Sequence, residues 1–207
     1  MWAMTRTPKG AILSTKRFIV RPATAGDTDA MSAVLASSGL SSARPEILEF
    51  YLATPGTHLF VACRDDRVIG VAGCVSFGRT GWLGSVAVDH DARGQGLGTA
   101  ISETAVECLR QAGVKTVLLT ATELGQPVYE RLGFVDEDVA YGTWERDQAR
   151  VVAPGDAAAV HPGRIEDVLR QDADATGEDR RSYLTAWAHR SRAPAGREQA
   201  GYRLALP

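Results

Sequence analysis

The sequence predicts an α/β fold in which a mixed central sheet carries helices on both faces. Three observations lead to this prediction. Residues 68–75 are uniformly apolar and small, which is typical of a strand buried on both of its faces. An apolar run at 82–88 leads through a glycine-rich turn into a helical pattern. A further run at 115–120, rich in β-branched residues, leads into a second, shorter helical pattern.

Turn and capping signals divide the first half of the chain. Thr24 and Asp27 have the spacing of a capping box that opens a helix. Pro45 suits the first turn of the next helix, and Pro55 with the glycine after it ends that helix. The strands predicted here are 17–21, 58–63 and 67–77, and the helices are 25–36 and 46–53.

The second half continues the alternation and then changes character. Predicted strands are 82–88, 115–120, 134–135 and 140–145, and predicted helices are 97–112 and 125–132. Beyond them the chain is rich in alanine, arginine and aspartate, with helical patterns at 164–173 and 178–190 and a strand-like end at 201–207. The predicted organisation is a flexible leader at 1–14, one domain at 15–147 and a mainly helical extension at 148–207.

Composition excludes several classes of function. The formal net charge of −2 over 207 residues provides no basic field for nucleic acid or an anionic membrane. No apolar run approaches the roughly 18 residues of a membrane span, and no signal peptide is evident, so we expect a cytoplasmic protein. The three cysteines and four histidines lack the spacing of metal ligands, so no metal is expected. Arginine-rich, alanine-rich usage is typical of a GC-rich bacterial genome.

The glycine-rich turn is the strongest candidate for a binding site. It contains Arg93, Gly94, Gln95, Gly96, Leu97, Gly98 and Thr99. The first N–H groups of a helix lack intrahelical partners, and the helix dipole adds partial positive charge there. Glycines let these groups converge on a phosphate, and an arginine adds a charge-assisted contact. A glycine-rich connection without a ligand is the alternative.

The spacing excludes two common nucleotide motifs. A dinucleotide fingerprint starting at Gly94 would place Thr99 where its third glycine belongs. A P-loop needs Gly-Lys-Ser/Thr, and the lysines of this chain lie elsewhere. The turn instead resembles the acyl-CoA site of the GNAT superfamily of N-acetyltransferases, which reads Arg or Gln, two residues, Gly, one residue, then Gly or Ala. The resemblance extends over about 15–147 and implies the GNAT acyl-CoA N-acyltransferase fold.

A second block strengthens the resemblance. Residues 129–134 read Tyr-Glu-Arg-Leu-Gly-Phe, similar to the end of the second acyl-CoA block of GNAT enzymes. The resemblance implies that Tyr129 donates a proton to the departing thiolate, as a phenol can. Many family members carry asparagine and alanine where this chain has Thr122 and Gly125. The cofactor-binding residues that we expect are Val86, Ala87, Val88, Arg93, Gly94, Gln95, Gly96, Leu97, Gly98, Thr99 and Thr122.

The resemblance implies an acetyl-CoA-dependent N-acetyltransferase that acts on a small-molecule primary amine in a ternary complex. Acceptor residues are expected in 37–51 and 136–144. Alternatives are a protein lysine or N-terminal acetyltransferase, and a non-catalytic acyl-CoA-binding or scaffold protein. The central strand carries no carboxylate, which leaves the general base open among water, Glu46, Glu49, Glu123, His58 and the acidic loop 136–138. The extension resembles the opening of a degenerate second GNAT-like half, and the oligomeric state, a homodimer included, stays open.

Overall fold

A computed structural model of the chain describes residues 2–4, 18–40, 43–137, 165–190, 196–198 and 201–203. The chain divides into two compact units, Met1–Tyr141 and Gly142–Pro207. The boundary predicted at 147/148 stays a prediction. No helix in the described ranges combines the length and the apolar character that crossing a bilayer requires.

The first unit is built on a seven-stranded mixed sheet with the strand order β2-β3-β4-β5-β6-β1-β7. Its strands are β1 (Trp2–Met4), β2 (Ile19–Pro22), β3 (Thr57–Arg64), β4 (Arg67–Phe77), β5 (Thr80–Val88), β6 (Thr116–Leu119) and β7 (Val135–Asp136). All neighbours pair antiparallel except β5 and β6, which are parallel. The predicted mixed sheet is therefore confirmed.

Helices cover both faces of this sheet, as predicted. They are α1 (Thr28–Ser37), α2 (Pro45–Ala53), α3 (Leu97–Gln111) and α4 (Gln126–Arg131). Successive strand residues point to opposite faces. On β3, Leu59 and Val61 pack with α1 and α2, whereas Phe60 and Ala62 pack with α3. Two apolar clusters thus enclose the sheet, and β4 is buried on both faces because a cluster lies on each side of it.

The predicted capping box forms, but it closes a short 3₁₀ turn at Ala25–Asp27 that precedes α1. The Thr24 N–H and hydroxyl both donate to Asp27 Oδ2 at 2.8 Å. Arg21 adds two hydrogen bonds to the same carboxylate at 2.7 and 2.8 Å. Arg21, more than the Thr24 donors, holds the pKa of buried Asp27 well below its usual range. This cluster fixes the chain entry into α1.

Two predicted segments concern the edge of the sheet at β1 and β7. Residues 1–14 are expected as a flexible leader, yet Trp2–Met4 forms β1, paired antiparallel to β6 and to β7. An open strand edge gains backbone hydrogen bonds by accepting such a segment, because its N–H and C=O groups otherwise have no protein partner. At these three residues the structure differs from the predicted leader, whose other residues lie outside the described ranges. The strand predicted at 140–145 lies outside the described residues.

The second unit contains α5 (Ile165–Thr176), α6 (Arg181–Arg190) and the antiparallel hairpin of β8 (Gly196–Glu198) and β9 (Gly201–Arg203). Both predicted helices are confirmed, and β9 begins where a strand was predicted. Strand β8 was not predicted. Asp172 is 2% exposed and accepts two hydrogen bonds from Arg180, at 2.6 and 3.0 Å. This pair joins α5 to the segment before α6.

A buried hydroxyl on α3 is expected to lower the stability of the chain. Ser102 is 0% exposed, and its Oγ has no hydrogen-bond partner among the described residues. Serine is also a weaker helix former than alanine. We expect Ser102→Ala to raise the free energy of unfolding by about 1 kcal/mol, because it removes an unpaired polar group from the core. Urea unfolding measures this, and a lower stability would contradict the absence of a partner.

Candidate functional site

Strand β5 is bent and leaves part of one edge open. It pairs with β4 from Thr80 to Val88, but the register shifts between Val71 and Gly73. At that bulge Ser85 adopts a φ of +51°, in the left-handed region. On its other edge β5 pairs with β6 only over Thr80–Trp82. Among the described residues, no strand pairs with this edge beyond Trp82. A bulge bends its strand, which fits the divergence of β5 from β6.

The glycine-rich turn connects the end of this open edge to α3. Gly94 and Gly96 have φ values of +72° and +79°, which glycine adopts without strain, and Gly96 is the N-cap of α3. None of the N–H groups of residues 94–99 donates to an acceptor in the described part of the chain. A Cβ added at either glycine would meet no atom within 4 Å, so ligand atoms can approach the backbone. This geometry is compatible with an anion, and the role of the turn in binding one stays a prediction.

The side chains of the turn have different roles. Arg93 is exposed, and its guanidinium donates to Val88 O at 3.0 Å and to Ser38 Oγ at 3.4 Å. A guanidinium has five N–H donors, so donors are left for an anion. Gln95 accepts from Arg64 at 2.7 Å and donates to Asp91 O at 3.2 Å, which braces the turn.

The remaining residues of the turn anchor it to the sheet. Leu97 is 1% exposed and covers Gly70 so closely that a Cβ there would lie 2.4 Å from Leu97 Cδ2. Leu97 can therefore offer a ligand only its backbone N–H. A Cβ at Gly98 would lie 3.7 Å from Val88 and 3.9 Å from Val128, and Thr99 is half-buried. The start of α3, the end of β5 and α4 thus meet at one point.

Tyr129 lies on α4, beside Val128, and belongs to the apolar cluster under α3. Its side chain is 7% exposed and makes an edge-on contact with Phe134, the ring centroids 5.9 Å apart. No side chain in the described ranges hydrogen-bonds its hydroxyl. Burial raises the pKa of Tyr129 to about 12, so the phenol keeps its proton at neutral pH. That state suits a proton donor.

The structure explains one departure from the family pattern. A Cβ at Gly125 would lie 3.1 Å from Cε2 of the Tyr129 ring, so the alanine of many family members would crowd the ring here. The Thr122 hydroxyl accepts from the Gly125 N–H at 3.2 Å and shapes the turn into α4. Thr122 is exposed, so its hydroxyl proton can reach a ligand. Its role in cofactor binding stays a prediction.

The side chains of residues 86–88 on β5 point alternately to the two faces of the sheet. Val86 and Val88 pack toward α3 and α4, whereas Ala87 packs toward α1 and α2. Their backbone groups lie on the part of β5 that β6 does not pair. Whether these groups bind a cofactor stays a prediction.

The structure singles out none of the described candidates as the general base. Glu46, Glu49, His58, Glu123 and residues 136–137 are all exposed, and Asp138 lies outside the described residues. Within the described ranges no three His, Cys, Asp or Glu side chains converge as metal ligands. Ser85 is not among the residues predicted from the sequence, where its one signal is a serine after Gly84 in an otherwise apolar strand.

The buried phenol predicts a pH dependence of stability. Because the pKa of Tyr129 is about 12 in the folded chain and about 10 in an exposed phenol, the unfolded chain loses this proton first as pH rises. The free energy of unfolding should therefore fall from pH 10 to pH 12, with about 2–3 kcal/mol attributable to this residue. Chemical denaturation of the wild type and Tyr129→Phe across this window measures the difference. Equal losses in both proteins would contradict the burial of the hydroxyl.

Known proteins are similar in sequence to the part of the chain that contains these residues. The sequence model of the acetyltransferase (GNAT) family matches residues 30–134. N-alpha-acetyltransferase 30 of Schizosaccharomyces pombe is 32% identical over 83 residues, which are 36% of this chain and 55% of that protein. The chain thus spans about half the length of this relative.

Solved structures show the same fold. The match with a protein from Pyrococcus horikoshii, described as a candidate acetyltransferase, covers 92% of this chain and 67% of that protein, at 22% identity and a TM-score of 0.66. The match with a protein from Clostridium acetobutylicum, described as a predicted acetyltransferase and solved with acetyl-CoA, covers 61% of this chain and 95% of that protein, at 18% identity and a TM-score of 0.54.

Proposed function

The chain belongs to the acetyltransferase (GNAT) family, whose members are acyltransferases that use acetyl-CoA, and we propose that it transfers acetyl directly from acetyl-CoA to a primary amine in a ternary complex. One observation carries this proposal. Among the described residues, the N–H groups at the start of α3 have no acceptor, and they follow directly after the part of β5 that β6 does not pair. That arrangement fits a ligand with a pyrophosphate at one end and an extended, amide-bearing arm at the other.

The pyrophosphate would bind at the glycine-rich turn. The first N–H groups of α3 lie where the helix dipole favours negative charge, and the N–H groups of residues 94–96 precede them directly in the chain. Arg93 adds a charge-assisted hydrogen bond from an exposed position, and Thr122 adds its hydroxyl proton. The Gln95 side chain stabilises the turn through the hydrogen bond that it accepts from Arg64.

The pantetheine arm would lie along β5 beyond Trp82, where β6 no longer pairs. Backbone groups of Val86, Ala87 and Val88 would bond its amides, as a sheet edge bonds an added strand. One N–H of this segment would also stabilise the oxyanion that forms on the thioester carbonyl.

Bond making and breaking need little from the protein beyond positioning and one proton. The neutral amine attacks the thioester carbonyl, a C–N bond forms, and the tetrahedral intermediate then loses the CoA thiolate. Tyr129 donates its phenolic proton to the departing sulfur and regains one from solvent, while the proton released from nitrogen passes to water. The high pKa of Tyr129, about 12, keeps the donor protonated throughout the physiological range.

The acceptor that we propose is a small-molecule primary amine. A Cβ at Gly84 would meet no atom within 4 Å, which leaves room beside the bulge for a small amine. The family resemblance expects acceptor residues in 37–51 and 136–144, of which 138–144 lie outside the described residues.

A second candidate acceptor is the α-amino group of a protein. The 32% identity over 83 residues with N-alpha-acetyltransferase 30 favours it. An N-terminal α-amine is also a primary amine, so the same donor site and the same proton donor would serve.

Release of CoA thiol distinguishes the two acceptors. We propose assays with a panel of small primary amines, with peptides that carry a free N-terminus, and with the same peptides blocked at the N-terminus. Release with small amines alone supports the first acceptor, and release with unblocked peptides alone supports the second. If a protein that binds acetyl-CoA releases no thiol with any of these amines, the proposed reaction is wrong.

A further inference from the structure

Ser85 stands out among the residues that the mechanism above does not use. Three non-glycine residues in the described ranges have positive φ: Asp65, Asp66 and Ser85. Asp65 and Asp66 form the two-residue turn between β3 and β4, where aspartate is commonly accepted. Ser85 lies inside a strand, where no turn requires this conformation. Strained backbone of this kind clusters at functional sites.

The side chain of Ser85 projects from the face of the sheet that α1 and α2 cover. A Cβ at Gly73 would lie 3.6 Å from Ser85 Cβ and 2.9 Å from Leu59 Cδ2, and Leu59 belongs to the cluster under α1 and α2. Ser85 is half-buried, and its hydroxyl makes no hydrogen bond within the described part of the chain. This position therefore presents an unengaged donor and acceptor.

The strand position before Ser85 leaves open space. Gly84 is exposed, and a Cβ there would meet no atom within 4 Å. Ser85 also lies three positions after Trp82, the last residue of β5 that pairs with β6. The hydroxyl is thus placed where the open edge of β5 begins and where solvent can enter.

We propose that Ser85 binds the attacking amine: its Oγ accepts a hydrogen bond from the amine N–H and orients the nitrogen lone pair toward the thioester carbonyl. This inference rests on the proposed function, which puts the thioester beside this part of β5. Ser85 forms no covalent bond and keeps its own proton. A neutral hydroxyl suits the role because β5 carries no carboxylate that could hold the amine.

Ser85→Gly removes the hydroxyl and keeps the backbone conformation. Glycine adopts the positive φ without strain, so the variant should unfold at the wild-type midpoint or above it. We expect its kcat/KM for the amine to fall at least tenfold, with the Kd for acetyl-CoA within twofold of the wild type. Ser85→Ala, which keeps the Cβ and loses only the hydroxyl, should show the same loss.

Asp66→Gly is the matched control. It relieves the same kind of strain, at a φ of +62°, in an exposed turn outside the proposed site. We expect it to keep the wild-type kcat/KM, which would show that strain relief alone does not lower turnover.

The outcomes separate this inference from the proposed function. If the wild type releases no thiol with any amine, the proposed function is wrong and the role of Ser85 falls with it. If the wild type turns over and either Ser85→Gly or Ser85→Ala keeps kcat/KM within twofold, only the role of Ser85 is overturned.

Discussion

Replacing Tyr129 by phenylalanine is expected to lower kcat for thiol release by about 100-fold or more, the usual contribution of a general acid. Phenylalanine keeps the ring, its burial and its edge-on contact with Phe134. The affinity for acetyl-CoA should therefore stay unchanged, because only the donated proton is lost. Steady-state kinetics with saturating acetyl-CoA and amine measure the effect.

A second tyrosine serves as a control for this substitution. Tyr183 lies on α6 in the second unit, where its ring contacts Trp187 at 6.2 Å between centroids. Tyr183→Phe is expected to retain wild-type turnover. Full turnover by Tyr129→Phe, with normal acetyl-CoA affinity, would remove Tyr129 as the proton donor.

Replacing Gly96 by alanine is expected to weaken acetyl-CoA binding by at least about 100-fold. The φ of +79° at this N-cap strains any residue with a Cβ, at a cost of roughly 1–2 kcal/mol. The added methyl would also occupy the open space beside the N–H groups where a phosphate would lie. The strain lowers the stability of the folded chain, whereas the loss of affinity comes from the missing phosphate contacts, because hydrogen bonds to charged groups contribute roughly 1.5–3 kcal/mol each.

Gly113→Ala introduces the same kind of backbone strain at a position where no ligand contact is proposed. Gly113 follows the other end of α3, has a φ of +88°, and also has no atom within 4 Å of an added Cβ. It should lose a similar amount of stability and bind acetyl-CoA like the wild type. Titration calorimetry and thermal unfolding of both variants make the comparison. Equal affinity of the two variants for acetyl-CoA would place the phosphates elsewhere.

Much of this arrangement could be predicted from the sequence because local signals were strong. The small, apolar β4 shows a strand buried on both faces, and Gly94 and Gly96 mark where the chain needs positive φ before a helix. The spacing of Thr24 and Asp27 indicated a cap, although the structure adds a 3₁₀ turn before α1. These features depend on residues close together in the chain.

Features set by distant pairing were not predictable in the same way. The bulge at Ser85 arises between strands, as β5 follows the register of β4 on one edge and leaves β6 on the other. Trp2–Met4 is too short to show strand periodicity, and its place depends on the open edges of β6 and β7. Likewise the contact of Leu97 with Gly70 becomes visible only when α3 packs on β4.

Thermal unfolding of the wild type with and without acetyl-CoA measures whether the folded chain binds this cofactor. A ligand present at 100 times its Kd stabilises the folded state by about 2.7 kcal/mol, which raises the midpoint by several degrees. We predict such a rise for the wild type and its loss in Gly96→Ala. An unchanged midpoint of the wild type at millimolar acetyl-CoA would contradict the account and leave the glycine-rich turn as a connection between β5 and α3.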